Sequence, residues 1–177
     1  MAPPIHPHQL VADLAHLTSR WIAALAPDVL AKLDRGALVA DLACGAGAAT
    51  LGLAKAYPRS RFRGFDAAAD TIQLARQRAA AAGVADRLTF EISGATDYPG
   101  SGYDLVVCLG CLNRVSDPVA AARHTRKSIA ADGVWIIVEP LTGAGAQRLR
   151  ALATEGGFTR FRRVTAAPFN LVLEARG

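Results

Sequence analysis

The sequence predicts an α/β domain, doubly wound around a mostly parallel sheet that closes in a C-terminal antiparallel hairpin. Short apolar runs alternate with helix-forming stretches, the pattern of repeated βα units. The first run, Leu38-Val39-Ala40-Asp41-Leu42, passes into Ala43-Cys44-Gly45-Ala46-Gly47, so that an acid and a glycine turn stand at a strand's carboxyl end. The last two runs lie too close in sequence for a parallel crossover, which needs about a dozen residues, so they must pair antiparallel.

Each element has a local reason. Residues 1–8 hold three prolines and two histidines and read as an irregular arm. His6 and His8 have no cysteine or carboxylate cluster beside them, and no metal site is expected. Residues 9–26 place Leu10, Val11, Leu14, Leu17, Trp21, Ile22 and Leu25 on one helical stripe, with His16 off it. A short helix over 29–33 and the turn Asp34-Arg35-Gly36 follow. Residues 1–35 are thus expected as an arm and helices packed on a core, and 36–177 as the main body of one domain.

The glycine turn leads into a helix over 50–57, stopped by Pro58. The second strand, 61–66, ends on Asp66; a helix over 70–82 has Asp70 near its start and Gly83 as its stop. Residues 88–93 form a third strand, 94–100 a loop, and 103–109 a strand apolar enough to be central. Asp117-Pro118 opens the next helix, to about residue 130. Ala131-Asp132-Gly133 reads as a turn, 134–139 as the fifth strand, 141–145 as a Gly-rich connection and 146–155 as a helix. Strands over 158–164 and 169–176 complete the chain, and the Trp135 and Phe169 side chains are expected in the core.

With 51% hydrophobic and 20% charged residues, a 177-residue chain can bury a real core, which argues against disorder. The net charge of +5 permits acidic partners, nucleic acid included. The arginines are scattered, however, with no basic run. Residues 1–8 lack the basic and apolar regions of a signal peptide and no apolar run is long enough for a bilayer, so a cytoplasmic protein with reduced thiols is expected. The spacing Cys108-x-x-Cys111 admits redox chemistry or a metal, but it ends a buried strand and lacks a second pair. Cys108 and Cys44 are read as packing.

The chemistry concentrates at two strand ends. Gly45 and Gly47 let a ligand approach the backbone, and the helix behind them offers free N–H groups to an anion. Asp41 suits a cationic ligand group, and Asp66 a pair of ribose hydroxyls. A nicotinamide-type Gly-x-Gly-x-x-Gly fails, because Thr50 stands at its third glycine. Asn113 and Glu139 are candidates for orienting a substrate and for a general base; their alternatives are loop hydrogen bonding and a buried ion pair.

The ordered set resembles the class I S-adenosylmethionine-dependent methyltransferases over roughly residues 36–177. Their fold is a seven-stranded sheet ordered 3-2-1-4-5-7-6. By this resemblance Asp41, Ala43, Gly45 and Gly47 hold the methionyl end of S-adenosyl-L-methionine, with Ala43 replacing the motif's first glycine. Asp66 holds the ribose, Ala67 and the loop Gly94, Ala95 and Thr96 the adenine, and Leu109 lies beside the adenine and reactive methyl. Arg59 to Asp66, Val138-Glu139-Pro140, Gly157 to Arg163 and Pro168 to Arg176 resemble an actinobacterial subgroup more closely. Relative to that subgroup, the sequence is expected to lack the N-terminal winged helix and to carry a short substrate-covering insert. Ala46, Ala68, Gly110, Asn113 and Arg114 stand where it tends to have other polar groups.

The resemblance implies transfer of a methyl group to an O, N or S nucleophile of a small molecule, leaving S-adenosyl-L-homocysteine. The alternatives are a cofactor-binding protein with little or no transferase activity, and a nucleic-acid or protein methyltransferase. Arginines clustered at the cofactor mouth would favour the last. No membrane association is expected, and a homo-oligomer is permitted.

Overall fold

A computed structural model describes residues 25–140, 145–167 and 170–177. The expected arm, most of the helix over 9–26, the connection at 141–144, and Phe169 lie outside the described residues. The elements run α1 (Pro27–Arg35), β1 (Leu38–Leu42), α2 (Ala48–Ala56), β2 (Arg61–Asp66), α3 (Ala69–Ala81) and β3 (Leu88–Ile92). After them come β4 (Tyr103–Leu109), α4 (Pro118–Ser128), β5 (Ile129–Pro140), α5 (Gly145–Glu155), β6 (Arg160–Ala167) and β7 (Asn170–Arg176).

The strands form one seven-stranded sheet in the order β3-β2-β1-β4-β5-β7-β6, as expected. The first five strands pair in parallel. β7 runs antiparallel to both β5 and β6, so the terminal hairpin caps one edge. Apolar residues alternate between two layers. Val39, Phe62, Leu105, Val107 and Ile136 face α1, α2 and α3, meeting Leu33, Leu53 and Ile72. Ala40, Phe65, Val106, Trp135 and Ile137 face the other way and meet Ala122, Leu149 and Ala153 of α4 and α5. Burial on both faces is why these strands read as continuous apolar runs.

Helix α4 starts where the sequence places it: Asp117 accepts the Ala120 N–H at 2.8 Å, and Pro118 occupies the first turn, where no N–H is needed. The turn expected at Ala131-Asp132-Gly133 instead lies within β5, which begins at Ile129. Tyr103 pairs with Ile129 and Leu105 with Val134, so residues 130–133 bulge opposite Asp104. Gly133 has no room for a Cβ against the Tyr103 carbonyl. The bulge is tied down by Lys32, which reaches Asp132 at 2.7 Å and Asp104 at 3.2 Å. Asp104 in turn accepts the Leu38 N–H at 2.9 Å, setting the start of β1.

One row across the sheet shapes the glycine turn. Phe90 pairs with Gly64, Gly64 with Asp41, and Asp41 with Val107. A Cβ on Gly64 or on Gly47 would collide with the Phe90 ring. Gly64 lies within β2 and is not among the glycines with positive φ, so it is needed for space and not for conformation. Replacing Gly64 by Ala is expected to cost about 1–3 kcal/mol through overpacking. Urea unfolding of the variant checks this: a midpoint shifted to lower urea at an unchanged slope is expected, and an unchanged midpoint would contradict it.

Candidate cofactor site

Two contiguous cavities open at the carboxyl ends of β1, β2, β3 and β4. The first, about 280 Å³, is lined by Ala43, Asp66, Ala67, Ser93, Gly94, Ala95, Thr96, Cys111, Arg114, Val115 and Ser116. The second, about 210 Å³, is lined by Asp41, Ala43, Cys44, Gly45, Ala46, Ala48, Ala49, Arg78, Leu109 and Arg114. They share Ala43 and Arg114. Of the expected cofactor-binding residues, all but Gly47 line one lobe or both. Gly47 lies beneath, in left-handed conformation (φ 75°), as the residue from which α2 starts. Ser93, Val115, Ser116 and Arg78 join the lining without having been singled out in the sequence.

Asp66 fixes the turn between the lobes. Its Oδ2 accepts the Gly45 N–H at 2.9 Å and its Oδ1 the Ala68 N–H at 2.9 Å. The loop backbone is also stitched to the β2 end, with Cys44 N–H donating to the Phe65 carbonyl at 3.0 Å. Ala43 has φ 53°, the one non-glycine with positive φ among the described residues. This left-handed conformation costs an alanine about 1 kcal/mol sterically. At Gly45 (φ 54°) nothing lies within 4 Å of where a Cβ would stand, so the backbone is open to the cavity. In the third-strand loop, Asp97 accepts the Gly94 N–H at 3.0 Å and holds the turn, leaving the exposed Thr96 as a polar side chain of the lining.

Asp41 is 2% exposed and accepts the Thr50 hydroxyl at 2.5 Å. Burial pushes its carboxyl up to about 7; the Thr50 bond opposes this shift and the Asp66 charge adds to it. Burial likewise pushes the Cys44 thiol well above its ordinary range, which removes it as a thiolate nucleophile.

The two catalytic candidates are brought together, but against each other. Glu139 is 3% exposed; its Oε1 accepts the Leu112 N–H at 2.8 Å and its Oε2 the Asn113 amide at 2.6 Å. Burial raises its carboxyl, and the two hydrogen bonds oppose that. Both residues line a separate small cavity with Arg148 and Leu149 and neither lobe described above. Glu139 thus braces the segment after β4, and no ion pair to it is formed among the described residues. Cys108 and Cys111, both buried, are joined in a disulfide, so the expected reduced pair is not what the structure holds. Gly110, at φ 63°, turns the chain so that their Cα atoms lie 5.7 Å apart, within bridging range.

A family model described as a methyltransferase domain matches residues 33–159. The chain belongs to this methyltransferase-domain family. It is similar to ajmaline N-methyltransferase of Rauvolfia serpentina, 31% identical over 114 residues, 63% of this chain and 38% of that protein. It is similar to trans-aconitate 2-methyltransferase of Afipia carboxidovorans, 27% identical over 117 residues, 65% of this chain and 44% of that protein. This methyltransferase domain therefore spans less than half the length of these curated relatives. Magnesium protoporphyrin IX methyltransferase of Synechocystis PCC 6803, solved with bound SAM, shares the fold with a TM-score of 0.72. It is 20% identical, with 100% of this chain and 87% of that one covered.

The Asp41 environment makes stability depend on pH. The folded carboxyl titrates about 7 against 3.8 for an unperturbed group, so between these values the folded state binds more protons than the unfolded state. Stability therefore falls as pH rises through that window, by an amount on the order of a few kcal/mol. Urea unfolding at pH 5 and pH 8 is expected to show the drop in the native protein and a much smaller one in Asp41→Asn. Equal pH slopes in the two would contradict the assignment.

Proposed function

We propose that this domain binds S-adenosyl-L-methionine across the two lobes and transfers its methyl group to a small-molecule nucleophile. The observation that carries the reading is the pair of acids, Asp41 and Asp66, at adjacent parallel strand ends, each opening onto one lobe with the glycine turn between them. The donor set fits the ligand. A carboxylate has about four lone-pair sites, so Asp66 can hold two backbone amides and still accept ribose hydroxyls. Ala67 and the loop Gly94 to Thr96 offer a small, largely apolar wall for adenine. Asp41 would pair with the ligand's ammonium, and the loop amides and the start of α2 with its carboxylate. Gly45 supplies the open cradle.

When bound, S-adenosylmethionine supplies an electrophilic methyl whose transfer returns the C–S electron pair to sulfur. The protein's part is alignment and exclusion of water. The segment after β4, braced by Glu139, forms the wall over the junction of the lobes. Two arginines, Arg78 and Arg114, line the lobes, and Arg78 is engaged with the Ala46 carbonyl at 3.1 Å. That is far from the basic field a polyanionic acceptor needs, which favours a small molecule. The small-molecule substrates in the names of the curated relatives support the same choice. Among the described residues no helix is long and apolar enough to cross a membrane, and no group of three potential metal ligands occurs.

Calorimetric titration with S-adenosyl-L-homocysteine tests the reading. Saturable binding is expected, weakened roughly ten- to hundredfold by Asp66→Ala as its charged hydrogen bonds are lost. Proton release near pH 7 is also expected, because the ligand ammonium lowers the Asp41 carboxyl; Asp41→Asn should abolish it. Absence of binding, or an affinity indifferent to Asp66, would contradict the proposal.

A further inference from the structure

Arg114 is the one charged group that lines both lobes. Its backbone is set by the turn, with its N–H donating to the Cys111 carbonyl at 2.9 Å. Its guanidinium makes no hydrogen bond, ion pair or ring contact among the described residues. This distinguishes it from Arg78 beside it, which holds the Ala46 carbonyl. A guanidinium is always charged, and its planar fork matches a carboxylate.

The position matters more than the charge. If adenosine occupies the Asp66 lobe and the methionyl group the Asp41 lobe, their junction holds the sulfur. Arg114 then stands beside a sulfonium, where two positive charges repel unless an anion comes between them. No base is available nearby to strip a proton from a neutral acceptor. Glu139 has both oxygens occupied and faces another cavity, and His124 is bound to the Tyr98 carbonyl at 2.8 Å. Asp41 lines the second lobe, but it already accepts the Thr50 hydroxyl and, in the reading above, pairs with the ligand's ammonium.

Building on the S-adenosylmethionine reading above, we infer that the methyl acceptor is a carboxylic acid, bound as its carboxylate by Arg114, and that the product is a methyl ester. A carboxylate oxygen uses its own lone pair to form the new C–O bond, the C–S bond breaks with its pair going to sulfur, and no proton moves. The missing general base is then a consequence of the acceptor's chemistry. A protonated amine would add a third positive charge at the same point and would be rejected. Arg114 is a substrate-binding residue in this scheme and makes no demand on the cofactor.

The protein preloaded with S-adenosyl-L-homocysteine is titrated with trans-aconitate, benzoate and benzylamine. In parallel, transfer from methyl-tritiated S-adenosylmethionine is counted as alkali-released methanol, which esters yield and N-methyl products do not. At least one carboxylate should bind saturably and give alkali-labile counts, and benzylamine neither. Arg114→Ala should weaken carboxylate binding and raise its KM by about ten- to hundredfold, while S-adenosylhomocysteine affinity stays within about threefold. Arg114→Lys, which keeps the charge without the fork, should recover part of the loss. Carboxylate binding indifferent to Arg114, binding of benzylamine alone, or no binding by either acid would overturn the inference. So would a parallel loss of S-adenosylhomocysteine affinity in Arg114→Ala, which would assign the residue to the cofactor. Failure of the native protein to bind S-adenosylhomocysteine, seen before any acceptor is added, overturns the underlying reading as well.

Discussion

The aromatic ring of Phe90 lying across Gly64 is the contact on which the site depends. Because Gly64 has no side chain, the ring extends from β3 over β2 and supports the turn from below at Gly47. The turn can then descend onto the end of β1, which buries Asp41 and brings it to Thr50 in the first turn of α2. A larger residue at either glycine would lift the turn and separate the acid from its hydroxyl. Packing in the interior of the sheet thus determines the electrostatics at its edge.

The two acids are held by different means. Asp66 is tied to backbone amides on both sides, which makes it a clamp on the turn. Asp41 has a single hydroxyl donor and no cationic partner among the described residues, so its burial carries a cost. A ligand bearing an ammonium group would relieve that cost, which is the role proposed above for S-adenosyl-L-methionine. Ala43 belongs to the same pattern: a left-handed alanine persists where the turn over-determines the backbone.

The sequence made the strand ends legible because acids and glycines there interrupt apolar runs, and Asp41, Asp66, Gly45 and the loop Gly94 to Thr96 all fall beside the lobes. The hairpin was legible from connection length, and the start of α4 from Asp117-Pro118. What local pattern could not show were long-range partners. The bulge in β5 is held by Lys32, about a hundred residues earlier, which reaches both Asp132 and Asp104. Arg78 enters the lining by reaching from α3 to a turn carbonyl, with no motif around it. The Cys108–Cys111 bridge and the Glu139–Asn113 bond both depend on how the chain turns after β4, which Gly110 permits but does not announce.

A crystal structure of the complex with S-adenosyl-L-homocysteine tests the central claim, a single ligand spanning both lobes, most directly. Its ribose hydroxyls should lie within hydrogen-bond distance of Asp66, its ammonium within reach of Asp41, and its sulfur beside Ala43 and Arg114. A ligand confined to one lobe, or lying with its adenosine against Asp41, would contradict the account.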